Sequence, residues 1–139
     1  MLRTAAIAIS LISPMLPDHS MTPGDVATTD VIKICKPGYA SSVRYVSQAT
    51  KQKVFDDYGI KRSNKYEVDH LISLQLGGSN APSNLWPQSL YTTPYNAHDK
   101  DRLESTLHGL VCKGKMSILD AQRMIRDNWI DAYKLYVKD

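Results

Sequence analysis

The sequence predicts one small α+β domain, in which a short β-hairpin is surrounded by helices. Residues 68–76 are rich in apolar side chains, which is typical of a buried strand. Gly77 and Gly78 supply turn chemistry directly after this run, and residues 84–86 form a short returning strand that Pro87 is expected to end. Apolar residues recur at helical spacing on both sides of the hairpin. The 139 residues provide enough chain for one domain.

Turn and capping residues define the segments before the hairpin. Residues 31–35, Val-Ile-Lys-Ile-Cys, are predicted to form a short strand that ends at Pro37 and Gly38. Residues 39–46 are expected to be extended or irregular. Ser47 is a typical N-cap residue, and it predicts a helix that runs to about residue 58 and stops at Gly59.

Two helices are predicted after the hairpin. The first begins at Asn96 or His98 and runs to about residue 111. Ser117, with Asp120 three residues later, resembles a capping box and predicts a final helix to about residue 137. We interpret the aromatic residues of this last helix as core residues and not as a platform for stacked bases.

The N-terminal residues have the features of an export signal. Arg3 provides a positive start, and residues 5–12 are apolar apart from Ser10. This run is too short to span a bilayer, so no membrane span is predicted. Residues 1–16 are therefore interpreted as a signal peptide, with a disordered or packed N-terminus as the alternative. Residues 17–30 read as a flexible linker, and residues 31–139 as the folded domain.

The two cysteines, Cys35 and Cys112, lie on either side of the hairpin in sequence. In an exported protein they are expected to form a disulfide, whereas in the cytosol they would remain free thiols. A bridge that closes so long a loop is worth roughly 4 kcal/mol in chain-entropy terms. No C-x-x-C motif is present, which disfavours a two-cysteine metal knuckle. The disulfide and a secreted or periplasmic localisation are thus linked predictions.

Composition and motifs exclude several classes of function. The net charge of +3 permits a nucleic-acid partner but does not argue for one. The sequence has no G-x-S-x-G elbow, no P-loop and no dinucleotide-binding fingerprint, which disfavours serine hydrolases and nucleotide-binding folds.

An Asp-His pair, Asp69 and His70, interrupts the apolar run of the hairpin. Buried polar groups must be hydrogen-bonded, paired or bound to a metal. Two satisfied core residues are the simplest interpretation of such a pair taken alone. Because neighbouring side chains of a strand point to opposite faces, the two can serve one site if the strand ends or bends there.

The wider context resembles the HNH nuclease (ββα-metal) family. The resemblance lies in D-H-L-I-S-L-x-L-G-G-S-N, in the N-L-W of residues 84–86, and in a K-D-x-x-E helix formed by Lys100, Asp101 and Glu104. It is strongest over residues 66–88, and the whole string is similar to small secreted bacterial HNH-type proteins. It implies a ββα-metal core, formed by the hairpin and the following helix, with flanking helices around it.

The resemblance also implies a role for each matching residue. His70 would be the general base that activates water, a role that suits an imidazole titrating near neutrality. Asp69 would bind a divalent metal ion, and the amide of Asn84 would orient the imidazole of His70. The metal would neutralise charge on the scissile phosphate.

The third residue of the family motif is where this chain departs from the pattern. Thr93 stands where the family usually has a histidine or asparagine on the helix. His98 is the preferred replacement and Asn96 the alternative, although Asn96 would equally serve as a helix N-cap. Asn96 would complete an oxygen-only set that favours Mg²⁺ or Mn²⁺, whereas His98 would admit Zn²⁺.

Two basic residues of the same helix are candidates for contacts with substrate phosphate. Lys100 lies one turn into the helix, and Arg102 is a weaker candidate. Lys100 and Glu104 could equally form an ordinary surface ion pair, which would stabilise the helix by tenths of a kcal/mol.

These observations together predict a monomeric, metal-dependent endonuclease that hydrolyses phosphodiester bonds, with DNA favoured over RNA. The alternative is a non-catalytic module that binds nucleic acid or protein on an HNH-like scaffold. A disulfide-bonded secreted protein with a structural metal is a third, weaker hypothesis.

Overall fold

The structure, a computed structural model, describes residues 15–137. Its two strands and five helices form a mixed domain, so the predicted α+β class is confirmed at this level. Short 3-10 turns lie at Leu74–Leu76 and Pro82–Asn84, between the strands. The elements, in chain order, are α1 (Val31–Ile34), α2 (Tyr39–Val43), α3 (Gln48–Tyr58), β1 (Tyr66–His70), β2 (Leu85–Ser89), α4 (Ala97–Cys112) and α5 (Ile118–Tyr136).

The segment before the hairpin differs from its prediction, because residues 31–34 form helix α1 and not a strand. The side chain of Asp30 accepts hydrogen bonds from the backbone N–H groups of Ile32 and Lys33, which is a helix N-cap. Residues 39–43, expected to be irregular, form the short helix α2. Helix α3 agrees with its prediction, since Ser47 caps its start and Gly59 ends it at a positive φ of 63°.

The hairpin is antiparallel, with Tyr66 opposite Ser89 and His70 opposite Leu85. Strand β2 continues through Pro87, which was expected to end it. A proline is tolerated here because both strands of a two-stranded sheet are edge strands. Strand β1 ends at His70, so the apolar residues after it, such as Leu71 and Leu76, are buried in a loop and not in a strand.

The main core lies between α4 and α5. Leu103, Leu107, Ile125 and Trp129 from these helices are fully buried. Helix α3 packs against β2, where Tyr58, Leu71 and Trp86 form a second, smaller cluster. Helix α5 contains an interruption at Asn128, whose side chain caps the following helical turns by accepting from the N–H groups of Ile130 and Asp131.

The disulfide between Cys35 and Cys112 is present and joins the end of α1 to the end of α4. The bridge links residues 77 positions apart and encloses the hairpin. None of the helices in the described part of the chain combines the length and apolar character needed to cross a bilayer.

The segment predicted as a linker is packed against the hairpin loop. The N–H of Gly24 donates to the carbonyl of Ser83, and those of Ala27 and Thr28 donate to that of Gly77. Thr22 is fully buried and hydrogen-bonded to Tyr58 at 2.6 Å. These hydrogen bonds supply loop carbonyls with donors that the loop itself lacks, which explains why the segment is held. Most of the predicted signal peptide, residues 1–14, lies outside the described residues.

Gly78 allows two parts of the loop to approach closely. A Cβ built at this position would lie 1.7 Å from the carbonyl oxygen of Ile72, a backbone atom that cannot rotate away. We therefore expect Gly78→Ala to destabilise the fold by about 3 kcal/mol, at the upper end of the range for overpacking. Gly109→Ala is the matched control, because nothing lies within 4 Å of its Cβ position in α4. That change should stabilise the protein by about 0.5–1 kcal/mol.

Urea denaturation of both variants measures the two effects. Equal free energies of unfolding for wild type and Gly78→Ala would contradict the close approach.

Candidate functional site

The end of β1 and the start of α4 enclose a polar cavity of about 230 Å³. Four carboxylates from these two elements line it, and we refer to it as the acidic pocket. His70 also lines the cavity, and Arg44 contributes a cation from the end of α2. The lining residues are Arg44, Glu67, Val68, Asp69, His70, Ser73, Leu74, Asp101 and Glu104.

The strand and the helix direct these side chains by their own periodicities. Glu67 and Asp69 are two residues apart on β1 and therefore share a face. Asp101 and Glu104 are three residues apart on α4 and therefore lie on one side of the helix. Asp69 and His70 both line the pocket although they are neighbours in the chain. Strand β1 ends at His70, which is the condition under which both side chains can belong to one site.

Lys100 joins the strand to the helix. Its ammonium group is fully buried and lies 2.7 Å from Asp69 Oδ2, 2.7 Å from Glu104 Oε1 and 2.8 Å from the backbone oxygen of His70. Burial alone would lower the pKa of this lysine, but the carboxylates of Asp69 and Glu104 outweigh it and raise the pKa above its ordinary value.

The structure places Lys100, which was predicted to contact substrate phosphate, in a fully buried ion-pair cluster. The ammonium group donates hydrogen bonds to Glu104 Oε1 and to the carbonyl of His70, and Asp69 Oδ2 lies beside it as an ion-pair partner. The pair with Glu104 is also buried, in contrast to the exposed pair that the sequence left open. Lys100 is therefore the counter-ion of the acidic pocket.

Three carboxylates of the pocket are close enough together to share one cation. Glu67, Asp69 and Asp101 each offer an oxygen, and these oxygens all lie within 4.8 Å of one another. Asp69 Oδ2 contacts Lys100, which leaves its Oδ1 for a further ligand. An all-oxygen carboxylate set suits hard divalent cations such as Mg²⁺, Mn²⁺ or Ca²⁺.

The crowding of like charges affects the protonation of the pocket. Burial, followed by the charges of Asp69, Asp101 and Glu104, raises the pKa of Glu67 to about 7. Burial and Asp69 also raise the pKa of Asp101. Burial raises the pKa of Glu104, although Lys100 opposes this effect. A bound cation would relieve the same repulsion that now favours protonation.

These shifts predict a pH-dependent stability for the metal-free protein. In the unfolded chain Glu67 has its ordinary pKa of 4.5, so between pH 4.5 and 7 the folded state binds more protons. The contribution of Glu67 to the free energy of unfolding therefore falls as the pH rises through this window. His70 contributes with the opposite sign below its ordinary pKa of 6.5, since burial lowers its pKa in the fold.

Comparison of wild type with Glu67→Gln in EDTA isolates the carboxylate, because His70 is common to both. We expect Glu67→Gln to gain stability relative to wild type as the pH is raised from 5 to 8, measured by urea denaturation. A constant difference between the two proteins over this range would contradict the raised pKa.

His70 is held by Asn80, which was not among the predicted site residues. Nε2 of the imidazole lies 3.0 Å from Asn80 Oδ1, and Asn80 Nδ2 donates to the carbonyl of Val43 at 2.7 Å. Because an amide oxygen can only accept, Nε2 carries the proton and Nδ1 carries the lone pair of the neutral ring. No residue of the described chain bonds Nδ1. Burial lowers the pKa of His70, which favours this neutral form.

Asn84, predicted to hold the imidazole, has a different position. It is fully buried, and its oxygen accepts from the N–H groups of Ile72 and Asp25 at 2.9 and 3.3 Å. Its nitrogen donates to the carbonyls of Ile72 and Ser79 at 3.0 and 2.8 Å. All four hydrogen-bonding positions of the amide are occupied, so Asn84 closes the loop between the strands and leaves His70 to Asn80.

Both predicted candidates for the third metal ligand lie apart from the carboxylates. Asn96 is the N-cap of α4, where its oxygen accepts from the N–H groups of His98 and Asp99. Those two bonds use both lone pairs of the amide oxygen. The carboxylate of Asp99 accepts from the N–H of Asn96 in return, which completes a capping box. His98 is exposed in the first turn of α4 and does not line the pocket. Asp101, one turn further along α4, is the helix residue that lies beside Glu67 and Asp69.

Arg102 was predicted to contact substrate phosphate, whereas no role was predicted for Arg44. Arg102 donates to the hydroxyl of Tyr133 at 2.9 Å and lies over its ring, away from the acidic pocket. Arg44 is exposed, lines the pocket, and has no ion-pair partner in the part of the chain that the structure describes. Arg44 therefore brings a positive charge to the lining of the acidic pocket.

Some of the missed residues had a signal in the sequence and others had none. Glu67 precedes Asp69 by two positions, and strand periodicity alone puts both on one face. Asp101 belongs to the K-D-x-x-E string. Asn80 ends the D-H-L-I-S-L-x-L-G-G-S-N string, although nothing in that string indicates a bond to His70. Arg44 had no signal, because its approach to the pocket depends on how the α2 segment packs beside the loop.

Comparison with known proteins identifies no relative: no family model, no curated protein and no solved structure matches the chain. The HNH resemblance of residues 66–88 therefore remains a prediction from sequence. The chemical interpretation of the acidic pocket depends on its own residues.

Proposed function

We propose that this protein is a metal-dependent endonuclease of the HNH type, which hydrolyses phosphodiester bonds in nucleic acid. One observation carries the proposal: a neutral histidine with a free Nδ1 lines the same small cavity as three carboxylates that lie within 4.8 Å of one another. A base and a cation-binding group side by side are the minimum that metal-assisted hydrolysis requires.

The donor set supports Mg²⁺ or Mn²⁺ as the cofactor. Glu67, Asp69 and Asp101 would hold the ion through carboxylate oxygens, and no nitrogen or sulfur ligand lines the pocket except His70. The ion, when bound, supplies charge neutralisation at the scissile phosphate and at the leaving oxygen. Zn²⁺ was the choice that depended on His98, and the position of His98 outside the pocket argues against it.

The protein's own residues have three further roles in this proposal. Nδ1 of His70 takes a proton from the attacking water, while Asn80 fixes the ring through Nε2. Lys100 holds the side chain of Asp69 against α4. Arg44 contacts a phosphate oxygen at the pocket entrance, the role first given to Lys100 and Arg102. Export from the cytosol is part of the proposal, and the disulfide supports it.

Nicking of supercoiled plasmid by the oxidised protein tests the proposal. We expect cleavage with Mg²⁺ or Mn²⁺, none in EDTA, and recovery when the metal is added back. Asp101→Asn should reduce cleavage at limiting metal and recover part of it at high metal concentration. His98→Gln should retain activity, because His98 lies outside the pocket.

A folded protein that binds DNA or RNA but cleaves neither with any of these metals would contradict the endonuclease and favour the non-catalytic binding module. Loss of cleavage in His98→Gln would return that residue to the metal site and overturn the carboxylate set.

A further inference from the structure

A second group of metal-binding side chains lies at the opposite end of α4 from the acidic pocket. Cys112 is the last residue of α4, and His108 precedes it by one turn. Cys35 follows α1 and is bonded to Cys112 in the disulfide. One ligand atom of each of the three residues lies within 4.8 Å of those of the other two. Cys112 lies eleven positions after Asp101 on the helix, which is about 16 Å along the axis.

We propose that the chain, once this disulfide is reduced, binds a zinc ion between Cys35, His108 and Cys112. This site is independent of the proposed nuclease function. Two thiolates and an imidazole form a donor set that zinc prefers, with the fourth position of the tetrahedron open to water. The hard cations expected in the acidic pocket do not compete for sulfur ligands.

The distances fit such a site after a small movement. In a tetrahedral site with Zn–S of about 2.3 Å and Zn–N of about 2.05 Å, sulfur and nitrogen ligands are about 3.6 Å apart. Nε2 of His108 already lies 3.6 Å from Cys112 Sγ. The two sulfur atoms must separate to about 3.8 Å. The Cα atoms of the two cysteines are 5.7 Å apart, so rotation of the side chains provides this separation.

The histidine exchanges one partner in the process. In the oxidised protein Nε2 of His108 contacts the carbonyl oxygen of Ile34 at 3.2 Å, as a donor. For zinc to bind, the ring proton moves to Nδ1, and the lone pair of Nε2 coordinates the metal in place of the hydrogen bond to Ile34. His108 is half-buried and lies on the rigid helix, so its ring is already held beside the sulfur atoms.

The chemical steps balance with a dithiol as the reductant. A dithiol transfers two electrons and two protons to the Cys35–Cys112 bond, and becomes a disulfide itself. Cys112 is exposed, which gives a reductant access to the bond. Zinc then displaces the two thiol protons and binds the two thiolates. The ends of α1 and α4 stay linked, by a covalent bond in the oxidised protein and by a metal ion in the reduced protein.

Titration of the full-length chain with Co²⁺ tests the inference. The protein is reduced with a phosphine, which leaves no competing dithiol, and excess Mg²⁺ is present to occupy the acidic pocket. We expect one equivalent of Co²⁺ to bind with a thiolate-to-cobalt charge-transfer absorption, and Zn²⁺ to displace it. The oxidised protein should show no such band. Asp69→Asn should leave the band unchanged, because it alters the other site.

Two variants decide the outcome. His108→Gln keeps the cysteines but removes a direct metal ligand. Loss of a residue that only hydrogen-bonds a ligand already lowers metal affinity by about 10–100-fold, so His108→Gln should weaken Co²⁺ binding at least ~10-fold. Cys112→Ser should abolish the charge-transfer band. If the reduced chain unfolds without metal, recovery of its helical circular dichroism on adding Zn²⁺ supports the site. Binding by reduced wild type that is no tighter than by Cys112→Ser, or equal affinity in His108→Gln, would overturn the inference.

Discussion

Replacement of His70 by glutamine is expected to reduce phosphodiester cleavage by about 10²–10⁴-fold, the usual contribution of a general base. Glutamine keeps a donor that can reach Asn80, but it has no nitrogen that accepts a proton near neutral pH. The free energy of unfolding should change little by comparison. The rate of plasmid nicking at saturating Mg²⁺ measures the effect, and urea denaturation measures the stability.

His19→Gln is the matched control, because His19 is an exposed histidine whose Nε2 contacts the backbone of Arg126, outside the acidic pocket. It should retain full activity. The cleavage activity of Asn80→Ala should lie between those of the two histidine variants. We expect a loss of about 10–100-fold, because the base remains but its ring is no longer oriented. Full activity in His70→Gln would contradict its role as the base.

Replacement of Lys100 by methionine is expected to destabilise the protein by about 3–5 kcal/mol, the cost of breaking a buried ion pair by removing one partner. Methionine fills most of the volume of the lysine side chain, so the effect reports the lost charge and not a cavity. Asp69 and Glu104 would lose the ammonium 2.7 Å away, and the carbonyl of His70 would lose its donor. Urea denaturation in EDTA measures the change.

Lys53 provides the matched control on the surface. It pairs with Asp57 at the same 2.7 Å and the same i, i+4 spacing, but its side chain is 65% exposed. Lys53→Met should therefore cost less than about 1 kcal/mol. Similar losses in the two variants would show that burial of Lys100 has no energetic consequence. Added Mg²⁺ should stabilise Lys100→Met more than wild type, because the pocket has then lost its internal cation.

The local elements with strong capping signals were predictable from sequence. Ser47 and Gly59 bound α3 as expected, and Leu103 and Leu107 face the core from α4. The failure at residues 31–34 has a simple cause: four apolar-rich residues fit a strand or a helix, and the cap at Asp30 decides for the helix. Asn96 carried two interpretations in the sequence, and its capping box supports the structural one.

The sequence by itself determined the α+β class, the hairpin around Asp69 and His70, and the cysteine pair that forms the disulfide. These depend on local periodicity, on turn residues, and on there being two cysteines to pair. The tertiary structure decided which polar residues meet. Asn80 holds the imidazole, Lys100 pairs with Asp69, and Arg44 lines the pocket. Each of these contacts joins residues that are ten or more positions apart in the sequence. The spacing of residues along the chain does not predict which of these side chains lie close together in space, because that depends on how α2, the loop and α4 pack together.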